Sequence, residues 1–187
     1  MKNKFELFFS RCYNKEEKNL LFEKAILSYG MDRDSFYAAQ ILRTDSGKPY
    51  FDGLNIHFNI SHSQDIWACL IGPGCCGLDF QYIKPCNFQK IAGRFFSCSE
   101  NIYVEQQGIT GFFDIWARRE AYSKYTGEGF FGNFDDFVDL RGILKQQVGN
   151  AILKEIKIPD LKSDYRCICC LPYDFKGEMI EVKKVVL

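Results

Sequence analysis

No apolar run in the 187 residues approaches the roughly 18 that a membrane-spanning helix needs. The first eleven residues interrupt their apolar side chains with Lys2, Lys4 and Glu6, so a soluble, unexported chain is expected. Net charge is also missing. With 24 basic and 24 acidic side chains no global field draws the chain to nucleic acid or anionic lipid, and any anion must be held locally. Cys167, Cys169 and Cys170 have no second CxxC or Cys/His cluster to complete four ligands, which removes a structural zinc. The nine cysteines are odd in number, and Cys75-Cys76 and Cys169-Cys170 are adjacent pairs poorly placed for bridges, so reduced thiols in a cytoplasm fit better than disulfides. No Gly-x-Ser-x-Gly elbow surrounds Ser61-His62, which argues against a hydrolase nucleophile there.

What is present is a core. Hydrophobic residues make up 47% of the chain, with 18 Phe and 10 Tyr, enough for one domain or two small halves sharing an interface. Helical spacing predicts helices over Glu16–Ser28, stopped before Gly30, and over Asp34–Arg43, stopped by Ser46-Gly47. Alternation then predicts a strand over Leu54–Ile60, and a short apolar run predicts another over Ile66–Ile71. Gly72-Pro73-Gly74 is the strongest internal boundary, giving halves of 1–73 and 74–187. Beyond it a strand is expected over Cys76–Phe80 and helices over Asn87–Phe96 and Gly111–Tyr125. Four short strands follow, over Phe137–Leu140, Ala151–Ile158, Tyr165–Leu171 and Met179–Val186. Helices and strands thus succeed each other twice, which suggests two similar α+β halves without a sequence-level repeat.

Chemistry concentrates in three short segments and one helix. Asp79 and Gln81, two apart on a strand, point the same way roughly 6 to 7 Å apart. Glu120 on the helix adds a second carboxylate, and this hard-oxygen set suits Mg²⁺, which keeps several waters and favours phosphate ligands. Ser61, His62 and Ser63 directly follow a strand and offer hydroxyls, an imidazole and backbone N–H groups to a terminal phosphate, with Lys48 near in sequence. Each segment alone has a plainer reading: Ser-His-Ser as a turn, Asp79 as a local hydrogen-bond acceptor, and Glu120 with Lys124 as a surface i,i+4 pair. Trp116 alone reads as core, and Arg118 and Arg119 as a solvated face.

Taken in order, Gly47-Lys48-Pro49, Phe58-Asn59-Ile60-Ser61-His62-Ser63, Gly77-Leu78-Asp79, Arg94-Phe95-Phe96-Ser97 with Glu100, and Trp116-x-x-Arg119-Glu120-Ala121-x-x-Lys124 resemble the surfactin-synthetase-type phosphopantetheinyl transferases. The match runs from about Lys15 to Leu140. The resemblance implies an α+β pseudodimer of two similar halves, with coenzyme A bound in the cleft between them. It implies magnesium on Asp79 and Glu120, with Gln81 completing the shell where the family often has Glu. It makes Asp79, Glu120 and Lys124 the catalytic set, with coenzyme contacts from Lys48, Pro49, Ser61, His62 and Asp79, an N-terminal Lys15, and Arg119 where the family usually has Lys. The activity implied is transfer of phosphopantetheine from coenzyme A to a serine of an acyl- or peptidyl-carrier protein, with release of 3',5'-ADP. The chain is then a cytoplasmic monomer that engages neither nucleic acid nor membrane. An acidic carrier would meet Lys90, Arg94, Arg118 and Phe130-Phe131. Gln81 also leaves room for a relative that binds coenzyme A or carrier without turnover.

Overall fold

The computed structural model describes residues 3–130, 132, 134–159, 161, 164–177 and 179–187. In chain order the elements are β1 (Glu6–Arg11), α1 (Lys15–Tyr29), α2 (Arg33–Ala38), β2 (Ile41–Arg43), β3 (Pro49–Phe51), β4 (His57–Ser63), β5 (Ile66–Gly72) and β6 (Gly77–Tyr82). Then come α3 (Phe88–Phe95), α4 (Cys98–Thr126), β7 (Gln147–Val148), β8 (Ala151–Glu155), β9 (Tyr165–Pro172) and β10 (Glu181–Lys184). One four-stranded sheet has the order β10-β1-β5-β4 and a second the order β6-β9-β8-β7, while β2 and β3 form a separate hairpin. Among the described residues no helix is long and apolar enough to cross a membrane.

The first sheet is covered on both faces, which explains the unbroken apolar run of β5. One face packs Phe8, Trp67, Cys69 and Ile71 against Leu21, Ala25, Ile26 and Tyr29 of α1. The opposite face packs Leu7, Phe9, Ala68 and Leu70 against Leu78, Phe80, Cys167 and Cys169 of the second sheet. The far side of that second sheet buries Ile168 and Cys170 under Ala117 and Ala121 of α4. The stack is therefore helix, sheet, sheet, helix. Much of the cysteine content serves as small apolar filling in it, and burial pushes the Cys76 thiol up to about 12.

The two sheets also meet edge to edge. Both β4 and β6 are edge strands, so β6 presents N–H groups that its own sheet does not pair. Asn59, Ser61 and Ser63, alternate residues and hence on one side of β4, accept those protons. Asn59 Oδ1 takes Leu78 N–H at 2.9 Å, Ser61 Oγ takes Phe80 N–H at 3.0 Å, and Ser63 Oγ takes Tyr82 N–H at 2.9 Å. A side-chain zipper thus fixes the register of β4 against β6.

Glycine decides how close α4 comes. A Cβ on Gly77 would lie 1.9 Å from the Ala121 carbonyl oxygen and 2.7 Å from the Tyr125 nitrogen. The obstacle is backbone, so the helix would have to move away from β6 as a body. Gly77→Ala is expected to destabilise the fold by about 3 kcal/mol, the upper end of overpacking costs, read as a fall in the urea midpoint with unchanged slope.

Several sequence expectations change here. The helix expected over Asp34–Arg43 ends at Ala38, and Ile41 to Arg43 pair with Phe51 to Pro49 instead. Gly47, at φ +84°, donates to the Thr44 carbonyl and closes that hairpin, so cross-strand pairing overrides a helical spacing. Helix α4 begins at Cys98, where Ser97 and Glu100 form a capping box, but Gly108, at φ +64° and ψ −146°, is non-helical and divides it at a kink, so the stretch beyond begins close to the Gly111 expected from the sequence. Phe137–Leu140 is no strand, having only a bridge from Val138 to Leu144. Strand β1 is absent from the expectations, since its buried Glu6 reads as a surface interruption until Lys183 Nζ is seen at 2.8 Å. The boundary at residue 73 falls in the β5–β6 connection, yet β10 crosses back and pairs in parallel with β1, Glu181 opposite Glu6.

Candidate active site

Asp79 sits at the centre of β6 and is 4% exposed. Its Oδ1 accepts from Lys124 Nζ at 2.7 Å and from Ser61 Oγ at 3.2 Å. Its Oδ2 is buried and, among the described residues, has no hydrogen-bond partner. Lys124 also donates to the Leu78 carbonyl at 3.0 Å, so the last turns of α4 are pinned to β6 at the point where Gly77 lets them approach.

Glu120, one turn before Lys124, is half-buried beside the same carboxylate. Burial pushes its carboxyl above the ordinary carboxylate range and Asp79 adds to this, while Lys124 opposes it. Gln81 is half-buried two residues beyond Asp79, its amide nitrogen donating to the Tyr82 carbonyl at 3.2 Å, which leaves the amide oxygen as its other end. Asp79, Glu120 and Gln81 therefore offer oxygen donors around an orphaned carboxylate oxygen, a set chemically suited to a small divalent cation. Among the described residues no group of three or more His, Cys, Asp or Glu side chains assembles, so a third protein oxygen at this centre would come from a neutral group such as Gln81.

The sign of the Glu120 shift predicts a stability change. A carboxyl raised by burial favours folding below its unfolded pKa, near 4.5, and loses that contribution as pH rises through its raised folded value. At pH 8 in chelator, Glu120→Gln is therefore expected to raise Tm by roughly 1 to 2 °C, a gain that shrinks toward pH 4.5. An unchanged or lowered Tm at pH 8 would remove burial as the dominant influence on this group.

The wall opposite α4 is the β2–β3 hairpin. Lys48 Nζ donates to the Cys76 carbonyl at 2.8 Å and lies 3.4 Å from Cys75 Sγ, which ties the hairpin to the β5–β6 connection. Lys48 and Pro49 line a cavity of about 250 Å³ together with Ser46 and Gly47 on the hairpin and Ser123 and Lys124 on α4. A wider groove of about 490 Å³ adjoins it, reaching Tyr50, His57, Cys75 and Tyr125. His62 is exposed on β4, its imidazole pKa lowered by burial and then by the charges of Lys18 and Lys124. Lys18, on the second turn of α1, is a cation that the sequence reading passes over; Lys15, the expected one, is the exposed first residue of that helix.

Residues 75–170 match the model of the 4'-phosphopantetheinyl transferase superfamily. The chain belongs to that superfamily. It is 32% identical over 139 residues to 4'-phosphopantetheinyl transferase gsp of Aneurinibacillus migulanus, covering 68% of this chain and 56% of that relative. It is 30% identical over 140 residues to 4'-phosphopantetheinyl transferase Sfp of Bacillus subtilis (strain 168), covering 68% and 60%. Over 90 residues it is 37% identical to 4'-phosphopantetheinyl transferase AcpT of Salmonella typhimurium, covering 44% and 47%. The aligned part of the chain thus spans about half to three-fifths of these superfamily relatives.

Three of the expected contact residues are placed elsewhere. Arg119 is 7% exposed, its Nη2 donates to Glu100 Oε2 at 2.7 Å, and its guanidinium lies over the rings of Phe96 and Phe137. Arg118, expected on a docking surface, is equally buried, donating to the Asp114 carbonyl at 2.9 Å beside Glu155 at 3.7 Å. Ser61 is buried between Asp79, Phe80 and Lys124 while its neighbour His62 faces out. Lys90 and Arg94 are exposed on α3 and Phe130 is half-buried against Trp116, with ring centroids 4.3 Å apart; Phe131 lies outside the described residues.

Proposed function

We propose that this chain transfers the 4'-phosphopantetheine arm of coenzyme A to a serine of a small acyl- or peptidyl-carrier protein and releases 3',5'-ADP. In this reading the two α+β halves, 1–73 and 74–187 with β10 crossing back, form a pseudodimer whose cleft takes the coenzyme. The chain acts as a cytoplasmic monomer. The observation that carries the reading is Asp79, paired through one oxygen with Lys124 and orphaned at the other, beside Glu120 and next to a cavity walled by Lys48 and Pro49.

The residues fit a magnesium ion, with Asp79 and Glu120 as its carboxylates and Gln81 or a water beside them. When bound, magnesium supplies positive charge against the pyrophosphate as the anhydride breaks. Lys48 and Lys18 offer the coenzyme's terminal phosphate local positive charge, as a chain of zero net charge requires, and His62 adds a neutral imidazole as a hydrogen-bond donor. The serine oxygen of the carrier forms the new bond to the β-phosphorus, and the anhydride oxygen leaves with its electron pair on 3',5'-ADP. Glu120 receives the hydroxyl proton, directly or through a water. Lys124, held by Asp79, stabilises charge on the departing phosphate.

The test incubates the purified protein with coenzyme A, Mg²⁺ and a panel of apo acyl- and peptidyl-carrier proteins, and reads the carrier mass. A phosphopantetheine-sized gain, lost in Asp79→Ala and Glu120→Ala, is expected. Coenzyme A binding with no gain on any carrier would leave a binding protein in its place, the outcome that Gln81 would then explain.

A further inference from the structure

Ser61 and His62 are neighbours in sequence, but their surroundings assign them different work. Successive residues of a strand face opposite ways, and here Ser61 is 6% exposed while His62 is open to solvent. A hydroxyl has one proton to donate and two lone pairs to accept with. Ser61 Oγ accepts from Phe80 N–H at 3.0 Å and from Lys124 Nζ at 3.4 Å, and Asp79 Oδ1 stands 3.2 Å away as the acceptor for its proton. All three capacities are used, and none is left for a phosphate oxygen.

We infer that Ser61 is a positioning residue, which orients the Asp79 carboxylate so that Oδ1 is committed to Lys124 and Ser61 while Oδ2 stays open for the divalent cation. This rests on the transferase reading above but assigns Ser61 to the metal side of the site instead of the phosphate side. The geometry supports it from two directions. Phe80 N–H, the residue after Asp79, fixes Ser61 through a backbone group that cannot rotate away. Lys124 is bonded to both oxygens of the Ser61–Asp79 pair, so the three side chains lock one another. Without the Ser61 proton, the carboxylate is free to turn and offer either oxygen to Lys124, and the orphaned position is no longer preset.

The experiment titrates Mn²⁺ as the metal probe by electron paramagnetic resonance, with coenzyme A present and no carrier. It also measures the Kd of coenzyme A and of 3'-dephospho-coenzyme A. Ser61→Ala is expected to weaken Mn²⁺ binding about tenfold, the scale seen when a partner of a metal ligand is removed. It should leave the ratio of the two coenzyme affinities unchanged. Ser61→Thr, which keeps a hydroxyl, restores Mn²⁺ affinity to within about threefold of the native protein. Ser63→Ala controls for the zipper, because it removes only the acceptor of Tyr82 N–H, and its Mn²⁺ affinity should stay native. A ratio that collapses toward one in Ser61→Ala with Mn²⁺ binding intact would make Ser61 a phosphate ligand and overturn the inference, as would Ser61→Ala with both quantities unmoved. Native protein that binds neither Mn²⁺ nor coenzyme A would instead overturn the transferase reading itself.

Discussion

On the proposed activity, Asp79→Asn is expected to lower the rate of phosphopantetheine transfer by about three orders of magnitude while the protein stays folded. The substitution keeps the shape of the side chain, and the zipper bonds to the N–H groups of Leu78 and Phe80 do not involve it. What it removes is charge at a site where both partners need it. Lys124 loses an ion pair at 2.7 Å, and the buried Oδ2, the one oxygen there without a partner among the described residues, becomes part of a neutral amide. Three orders of magnitude correspond to about 4 kcal/mol of lost transition-state stabilisation, a plausible sum for a weakened cation site and a misplaced lysine. Lys124 retains the Leu78 carbonyl and is itself half-exposed, so the accompanying stability change should be about 1 kcal/mol. Single-turnover transfer, with a thermal melt of the same sample, separates the two effects. Activity within tenfold of native would exclude Asp79 as the anchor of the site.

The largest effect on stability is expected at Glu100, some distance from the chemistry. Its side chain is fully buried, and it collects three donors: Arg119 Nη2 at 2.7 Å and Ser97 N–H at 3.0 Å on Oε2, and Phe137 N–H at 3.0 Å on Oε1. One carboxylate thereby caps the start of α4, neutralises a cation nearly twenty residues further on, past the kink at Gly108, and holds the segment around Phe137. Glu100→Ala leaves the buried Arg119 charge without compensation and two backbone donors without acceptors. Breaking a buried pair from one side costs about 3 to 5 kcal/mol, which for a chain of this size lowers Tm by roughly 10 °C. Arg119→Met should cost less, because methionine fills the space between Phe96 and Phe137, and combining it with Glu100→Gln should recover part of the loss. Coenzyme affinity decides Arg119's place. A guanidinium bound to Glu100 predicts native coenzyme Kd in Arg119→Met, whereas a phosphate contact predicts a large loss.

Legibility followed the range of the interaction that fixes each residue. The i,i+4 relation of Glu120 and Lys124, the i,i+2 relation of Asp79 and Gln81, and the capping signature of Ser97 and Glu100 are local. Chain geometry alone reaches them, and the sequence order of the motifs identified the family. Strand β1 and the β2–β3 hairpin were not legible in that way: β1 depends on β10 and β5 far along the chain, and β2 depends on cross-strand pairing with β3 through a turn that Gly47 closes. The helical spacing between Asp34 and Arg43 is real, and it yields to pairing that no window of that length contains.

The division is sharpest at adjacent residues. By itself the sequence determined the family and singled out Asp79, Glu120, Lys124, Lys48 and His62 as candidates for the proposed chemistry, because residue type and spacing decide what a group is able to do. Only the tertiary structure decided the surroundings of Ser61, Arg118 and Arg119, whose types suit a phosphate or a partner surface as well as a core. A hydroxyl or a guanidinium is committed by what surrounds it. Ser61 is committed by a neighbouring strand's N–H and an aspartate eighteen residues on, and Arg119 by a glutamate on the far side of the kink at Gly108.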